Sequence, residues 1–146
     1  MKKILTEQLI KEALLVETTY QDGINQIEII KEQYNSFKTI EEGLFDGIKS
    51  AYQKLKNDKP EAAKKVAVGW QKAKDYVKNS VSDVVNDLDN YAQDLKVAYD
   101  GGNLDELKAK VKELFGQANR LHARIRKAEK YQRALQKQAI EFTVTN

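Results

Sequence analysis

From residue 104 onward the apolar side chains recur at alternating steps of three and four: Leu104, Leu107, Val111, Leu114, Ala118, Leu121, Ile125 and Ala128, then, past polar Gln132, Leu135, Ala139 and Phe142. A strand would place its apolar residues at every second position, so this period specifies one face of a long amphipathic helix. Such a row is a seam, and it is stable only against a partner helix. The start of the helix is marked by Asn103, whose side chain can accept from the first turn, with Glu106 three residues on to return a bond. Asp100-Gly101-Gly102 just before it is a chain reversal.

Upstream of that reversal a second row follows the same rule: Ala63, Val66, Trp70, Ala73, Val77, Val81, Val84, Leu88, Tyr91, Leu95 and Ala98. Its one irregularity, two consecutive steps of four at Ala73, Val77 and Val81, reads as a stutter that relaxes the supercoil. Pro60 presets the first turn and Asp58 is the expected cap. Helices over 60–99 and 104–140, joined by a glycine turn, make an antiparallel, coiled-coil-like hairpin.

A third row runs through Leu5, Leu9, Ala13, Val16, Tyr20, Ile24, Ile27, Ile30, Tyr34 and Phe37, and resumes at Leu44, Ile48, Tyr52 and Leu55. Asp22-Gly23 and Asn35-Ser36 are two places for an interruption. Thr39 to Glu42 has capping-box spacing, so a break is expected between Ser36 and Thr39, with a single helix over 6–57 as the alternative. Gly43 and Gly47 weaken a helix interior and suit a deformable stretch or a close crossing. After Leu135 the residues Ile140 to Thr145 alternate apolar and polar, which predicts a short extended tail over 141–146. The expected fold is all-α: one domain over 1–146, an elongated antiparallel bundle of three or four long amphipathic helices with that tail.

The 146 residues include no cysteine and one histidine, which excludes disulfides, thiolate metal sites and the two-histidine zinc helix. His122 stands among Arg120, Arg124 and Arg126, without a nucleophile or an orienting carboxylate in its sequence neighbourhood, and reads as a solvated flank position. Asp83, Asp87, Asn90 and Asp94 share a helix face that reads as solvated acid more readily than as a cation site. The glycine turn lacks the pattern of a phosphate or calcium loop. Trp70, Tyr91 and the other tyrosines fall on or beside seams, where a ring is buried and a hydroxyl reaches the rim. No catalytic residue, cofactor or metal is therefore expected, and the chain reads as a non-enzyme.

Charge is the most informative surface feature. Residues 59–78 carry a net charge of +4 and 120–137 carry +6, against −2 for 1–58, −4 for 79–119 and −1 for 138–146. The hairpin brings the two basic stretches together, giving a candidate basic surface of Lys64, Lys72, Arg120, Arg124, Arg126, Lys127, Lys130, Arg133 and Lys137. Ile140, Phe142 and Val144 would lie on one side of the extended tail as a partner-binding strand. The sequence thus suggests a soluble structural or assembly protein that acts through helical seams and the tail. Its partner would be itself, as a homo-oligomer, or another protein of a larger complex such as a virion or secretion machine. Nucleic-acid binding through the basic end is the alternative. Glu7, Lys11 and Glu12 interrupt the apolar run after Met1, so no signal peptide is expected. No run suffices to span a membrane, and the expected location is the cytoplasm or an assembled particle.

Overall fold

The computed structural model describes residues 2–144, with side chains from residue 6 onward. Within that range every residue outside Lys59, Asp87 and 101–103 is helical, and there is no strand. Five α-helices follow in order: α1 (Lys2–Asp58), α2 (Pro60–Tyr76), α3 (Ser82–Asn86), α4 (Leu88–Asp100) and α5 (Leu104–Val144), with a π-helical turn at Val77–Val81 between α2 and α3. Among the described residues no helix is long and apolar enough to cross a membrane. The chain packs as two compact units, one formed by residues 1–32 and 84–121 and the other by 33–83 and 122–146.

In the first unit the apolar rows meet as the spacing requires. Ile27 and Ile30 of α1 are buried, as are Leu88, Leu95 and Ala98 of α4 and Leu107, Val111, Leu114 and Leu121 of α5. Gly23 is buried inside an unbroken helix, because a β-carbon there would lie 2.8 Å from Leu95 Cδ1 and 3.2 Å from Val111 Cγ2. A close crossing, and no interruption, is what this glycine serves. The reversal between α4 and α5 is a Schellman turn: Asn103 N–H donates to Ala98 O and Gly102 N–H to Tyr99 O, both at 3.0 Å, with Gly102 at φ 64°. Asn103 Oδ1 accepts from the Glu106 N–H at 3.1 Å, and the Asn103 amide donates to the Glu106 carboxylate at 3.3 Å. The returned bond therefore reaches the cap's side chain.

In the second unit the core gathers Ile48 and Leu55 of α1, Ala63 and Val66 of α2, and Leu135 and Ala139 of α5. The expected break between Ser36 and Thr39 is absent, and the single-helix alternative holds. Thr39 Oγ1 donates back to Asn35 O at 3.1 Å, as a hydroxyl within a helix does, so it caps nothing. Nothing lies within 4 Å of a β-carbon built at Gly43 or Gly47, so neither marks a crossing. Asp58 ends α1, and the one-residue link Lys59 takes the cap position of α2 without a side-chain cap bond.

The two steps of four are taken up locally. Ser82 N–H reaches back five residues to Val77 O, and Val77 and Val81 are both buried. One surplus residue in a row of threes and fours is absorbed by one wide turn, where a relaxed supercoil was expected. The carbonyl of Ser80 in that turn accepts from Arg124 Nη1 at 2.7 Å.

The predicted extended tail is overturned over its described part, 141–144, which continues α5. In helical register Phe142 packs against the core of Ile48, Leu55 and Val66, and its carbonyl accepts from Lys59 Nζ at 2.7 Å. An extended chain would lose both contacts, and there is no described strand for it to pair with. Ile140 and Val144 are exposed on the helix, and residues 145–146 lie outside the described range.

Candidate functional site

The polar member of the last seam is the best satisfied. Gln132 is 2% exposed and donates from Nε2 to Glu41 Oε2 at 2.9 Å; Glu41, 5% exposed, takes Lys38 Nζ on its other oxygen at 3.1 Å. Burial pushes the Lys38 ammonium down, but its hydrogen bond to Glu41 and the charges of Glu41, Tyr34 and Glu42 outweigh that and raise its pKa above 10.5. A neutral donor, a carboxylate and a half-open ammonium held in this way specify a register. Tyr34 and Tyr91 behave as seam residues do, with Tyr34 Oη 3.1 Å from Ser82 Oγ and Tyr91 Oη accepting from Gln117 Nε2 at 2.9 Å, whereas the Tyr131 ring, expected to be buried, is exposed.

A concave surface opens between α2 and α5 in the second unit. Gly69 lets the helices approach, since a β-carbon there would lie 2.7 Å from Leu135 Cδ1. The resulting groove has a volume of about 810 Å³ and is lined on its apolar part by Gly69, Ala73, Ala134 and Leu135. Tyr76 and Tyr131 line it with ring centroids 5.5 Å apart, edge to face. Lys72, Lys137 and Glu141 also border it, and Lys127 Nζ sits 5.4 Å above the Tyr76 ring. The unit's sequence holds 16 Lys and Arg against 9 Asp and Glu, a net charge of +7, whereas the first unit holds 9 against 13, a net charge of −4.

The structure sorts the predicted basic surface. Lys72 and Lys137 line the groove, while Arg126, Lys127, Lys130 and Arg133 border a second, smaller depression along α5. Arg124 is committed to the π turn and lies 3.9 Å from Asp83. Lys64 lies 3.7 Å from Glu61, and Arg120 belongs to the other unit. His122 is exposed and its Nδ1 accepts from Gln33 Nε2 at 3.1 Å, an arrangement with no nucleophile in it. Among the described residues no cluster of three or more His, Asp or Glu side chains is placed to hold a metal ion, and Asp94 faces Lys110 at 3.8 Å.

A second feature lies in the first unit. Every residue from 6 to 15 is exposed, including Leu9 at 64%, Ile10 at 54%, Leu14 at 59% and Leu15 at 49%. Packing begins with half-buried Val16 and Tyr20, the latter stacked on Tyr99 at 4.3 Å just before the α4–α5 turn. Sequence reasoning placed Leu9 and Ala13 in the same row as Ile27 and Ile30. The signal that separates them is the length of the partner helices, whose reversal at Gly101-Gly102 leaves the first turns of α1 unmatched. No protein-family model, curated protein or solved structure matches the chain.

Proposed function

We propose that the chain is a non-enzymatic assembly protein that joins helix to helix, with copies of itself or within a larger complex such as a virion or secretion machine. Residues 6–15 of α1 carry this reading: four large apolar side chains about half exposed or more on one short helical stretch are a surface that water disfavours and a partner helix would cover. The full reading is an antiparallel, coiled-coil-like bundle acting as a homo-oligomer or as one component of a particle, in the cytoplasm or in the assembled particle itself. Light scattering across a concentration series at low and high salt tests it. The expected result is a mass above the 16.7 kDa of one chain at micromolar concentration, and a single-chain mass at high micromolar concentration refutes self-assembly.

One observation favours a second reading, in which the basic unit holds nucleic acid. Tyr131 is 48% exposed beside Arg126, Lys130 and Arg133, which supplies both a ring for stacking and cations for phosphates. Binding of a labelled oligonucleotide, weakening steeply with salt and falling on Tyr131→Ala, is the outcome this reading requires.

A further inference from the structure

We infer that the groove between α2 and α5 receives residues 7–17 of α1 from a second copy of the chain. The inference rests on the assembly reading and names the two surfaces that meet. Glu7, Ile10, Leu14 and Glu17 fall at steps of three, four and three, so one face of the exposed helix carries an apolar centre with a carboxylate at each end. The groove has the complementary order. Its centre is apolar and aromatic, with Ala134, Leu135, Tyr76 and Tyr131; Lys127 stands over Tyr76 at one end, and Lys137, ten residues further along α5, lines the other, one turn before Glu141. Glu7 and Glu17 are also ten residues apart, so both charge pairs are separated by about 15 Å along a helix axis.

The chemistry of the two surfaces selects this occupant over a like copy of the same helix. Two segments of residues 7–17 laid together would bring Glu7, Glu12 and Glu17 of each against a stretch whose one cation is Lys11. In the groove the same carboxylates meet Lys72, Lys127 and Lys137 against the carboxylate of Glu141, with the net charges of the two units, −4 and +7, acting in the same sense at longer range. The small side chains of Ala73 and Ala134 leave the groove open beside the paired tyrosines, where Ile10 and Leu14 would lie. Because donor and acceptor are different surfaces, a copy that gives its helix still has a groove to fill, and contacts of this type propagate from copy to copy.

The test uses two full-length variants whose changes fall on exposed residues. The donor variant carries Ile10→Asp and Leu14→Asp, and the acceptor variant carries Lys127→Glu and Lys137→Glu. Circular dichroism first establishes that both keep the helix content of the parent chain. Light scattering should then give the single-chain mass for each variant alone and twice that mass for their equimolar mixture, since the mixture restores one contact and no more. Grafting Glu7→Lys and Glu17→Lys onto the acceptor variant should return its self-association. If the acceptor variant assembles like the parent while the donor variant does not, the exposed helices meet something other than the groove; the inference is overturned and the assembly reading stands. A parent chain that is single at every concentration overturns both, and loss of oligonucleotide binding in the acceptor variant of such a chain would assign the groove to nucleic acid.

Discussion

Replacing Gln132 by Leu makes the last apolar row continuous, and the structure predicts that this lowers stability. The substitution removes the 2.9 Å bond to Glu41 Oε2 and leaves that oxygen buried without its donor, although Lys38 still holds the other. A hydrogen bond to a charged group contributes about 1.5 to 3 kcal/mol. The larger apolar surface of Leu at a fully buried position returns about 1 kcal/mol of this, a little over one methylene's worth. The expected net loss is about 0.5 to 2 kcal/mol. Glu41→Leu should also destabilise, because the Gln132 amide is then buried unpartnered, while Lys38, 37% exposed, turns to water. The double variant Glu41→Leu with Gln132→Leu removes donor and acceptor together and should be near neutral or more stable than the parent by up to about 4 kcal/mol. Urea unfolding followed by far-ultraviolet circular dichroism, with slopes checked for equality, gives all four corners of the cycle. Single variants whose losses simply add in the double would refute the reasoning. The same cluster has a pH signature. The Lys38 pKa is higher in the folded chain than its ordinary 10.5, so its contribution is complete below about pH 10.5 and is lost as pH rises through the folded value. Lys38→Met should remove that alkaline loss.

The helical glycines should divide by their surroundings. Gly43→Ala and Gly47→Ala meet open space and should each raise stability by about 0.5 to 1 kcal/mol, whereas Gly69→Ala should lower it by forcing Leu135 aside, as measured by denaturation midpoints. Arg124→Ala should lower stability by about 1 to 3 kcal/mol through the abandoned Ser80 carbonyl, while Arg126→Ala on the exposed face changes it by less than about 0.5 kcal/mol. Amide exchange should be fast over residues 6–15 under conditions where one chain stands alone and should slow there on association, with residues 107–121 slow throughout; equal protection of the two stretches in the dissociated chain would contradict the exposure of the helix.

The helices were legible because they follow from side-chain spacing, and the rows through Leu107 and Leu114 and through Val66 and Leu95 are buried as the spacing requires. What failed were inferences from local signals that a tertiary contact overrides. Thr39 and Glu42 have capping-box spacing, but α1 gains more by continuing to Leu55 than by stopping at Ser36. The alternation at Ile140 to Val144 suits a strand, but the same residues place Phe142 one helical step beyond Ala139, over a core already built. The two steps of four near Val77 were visible, but not that they end in one wide turn whose Ser80 carbonyl is taken by an arginine 44 residues away in the chain. Of the candidate basic surface, spacing identified the residues but not their employment: Lys72 and Lys137 border a groove, whereas Arg124 is bound to backbone. The tyrosine walls and the Gly69 approach belong to α2 and α5 jointly, and neither row read alone contains them.

That arginine ties two properties that would ordinarily drift apart during evolution. A chain that lost one residue between 77 and 81 would regain a regular helix and with it a home for the Ser80 carbonyl within the helix. Arg124 would then lose its backbone acceptor and keep only the carboxylate of Asp83, so the same deletion that straightened the backbone would leave a more mobile cation next to Arg126 and Lys130. Descendants of such a chain would be expected to change residue 124 in step with the length of that segment, so that an insertion and a surface charge, 44 positions apart, are inherited as one character.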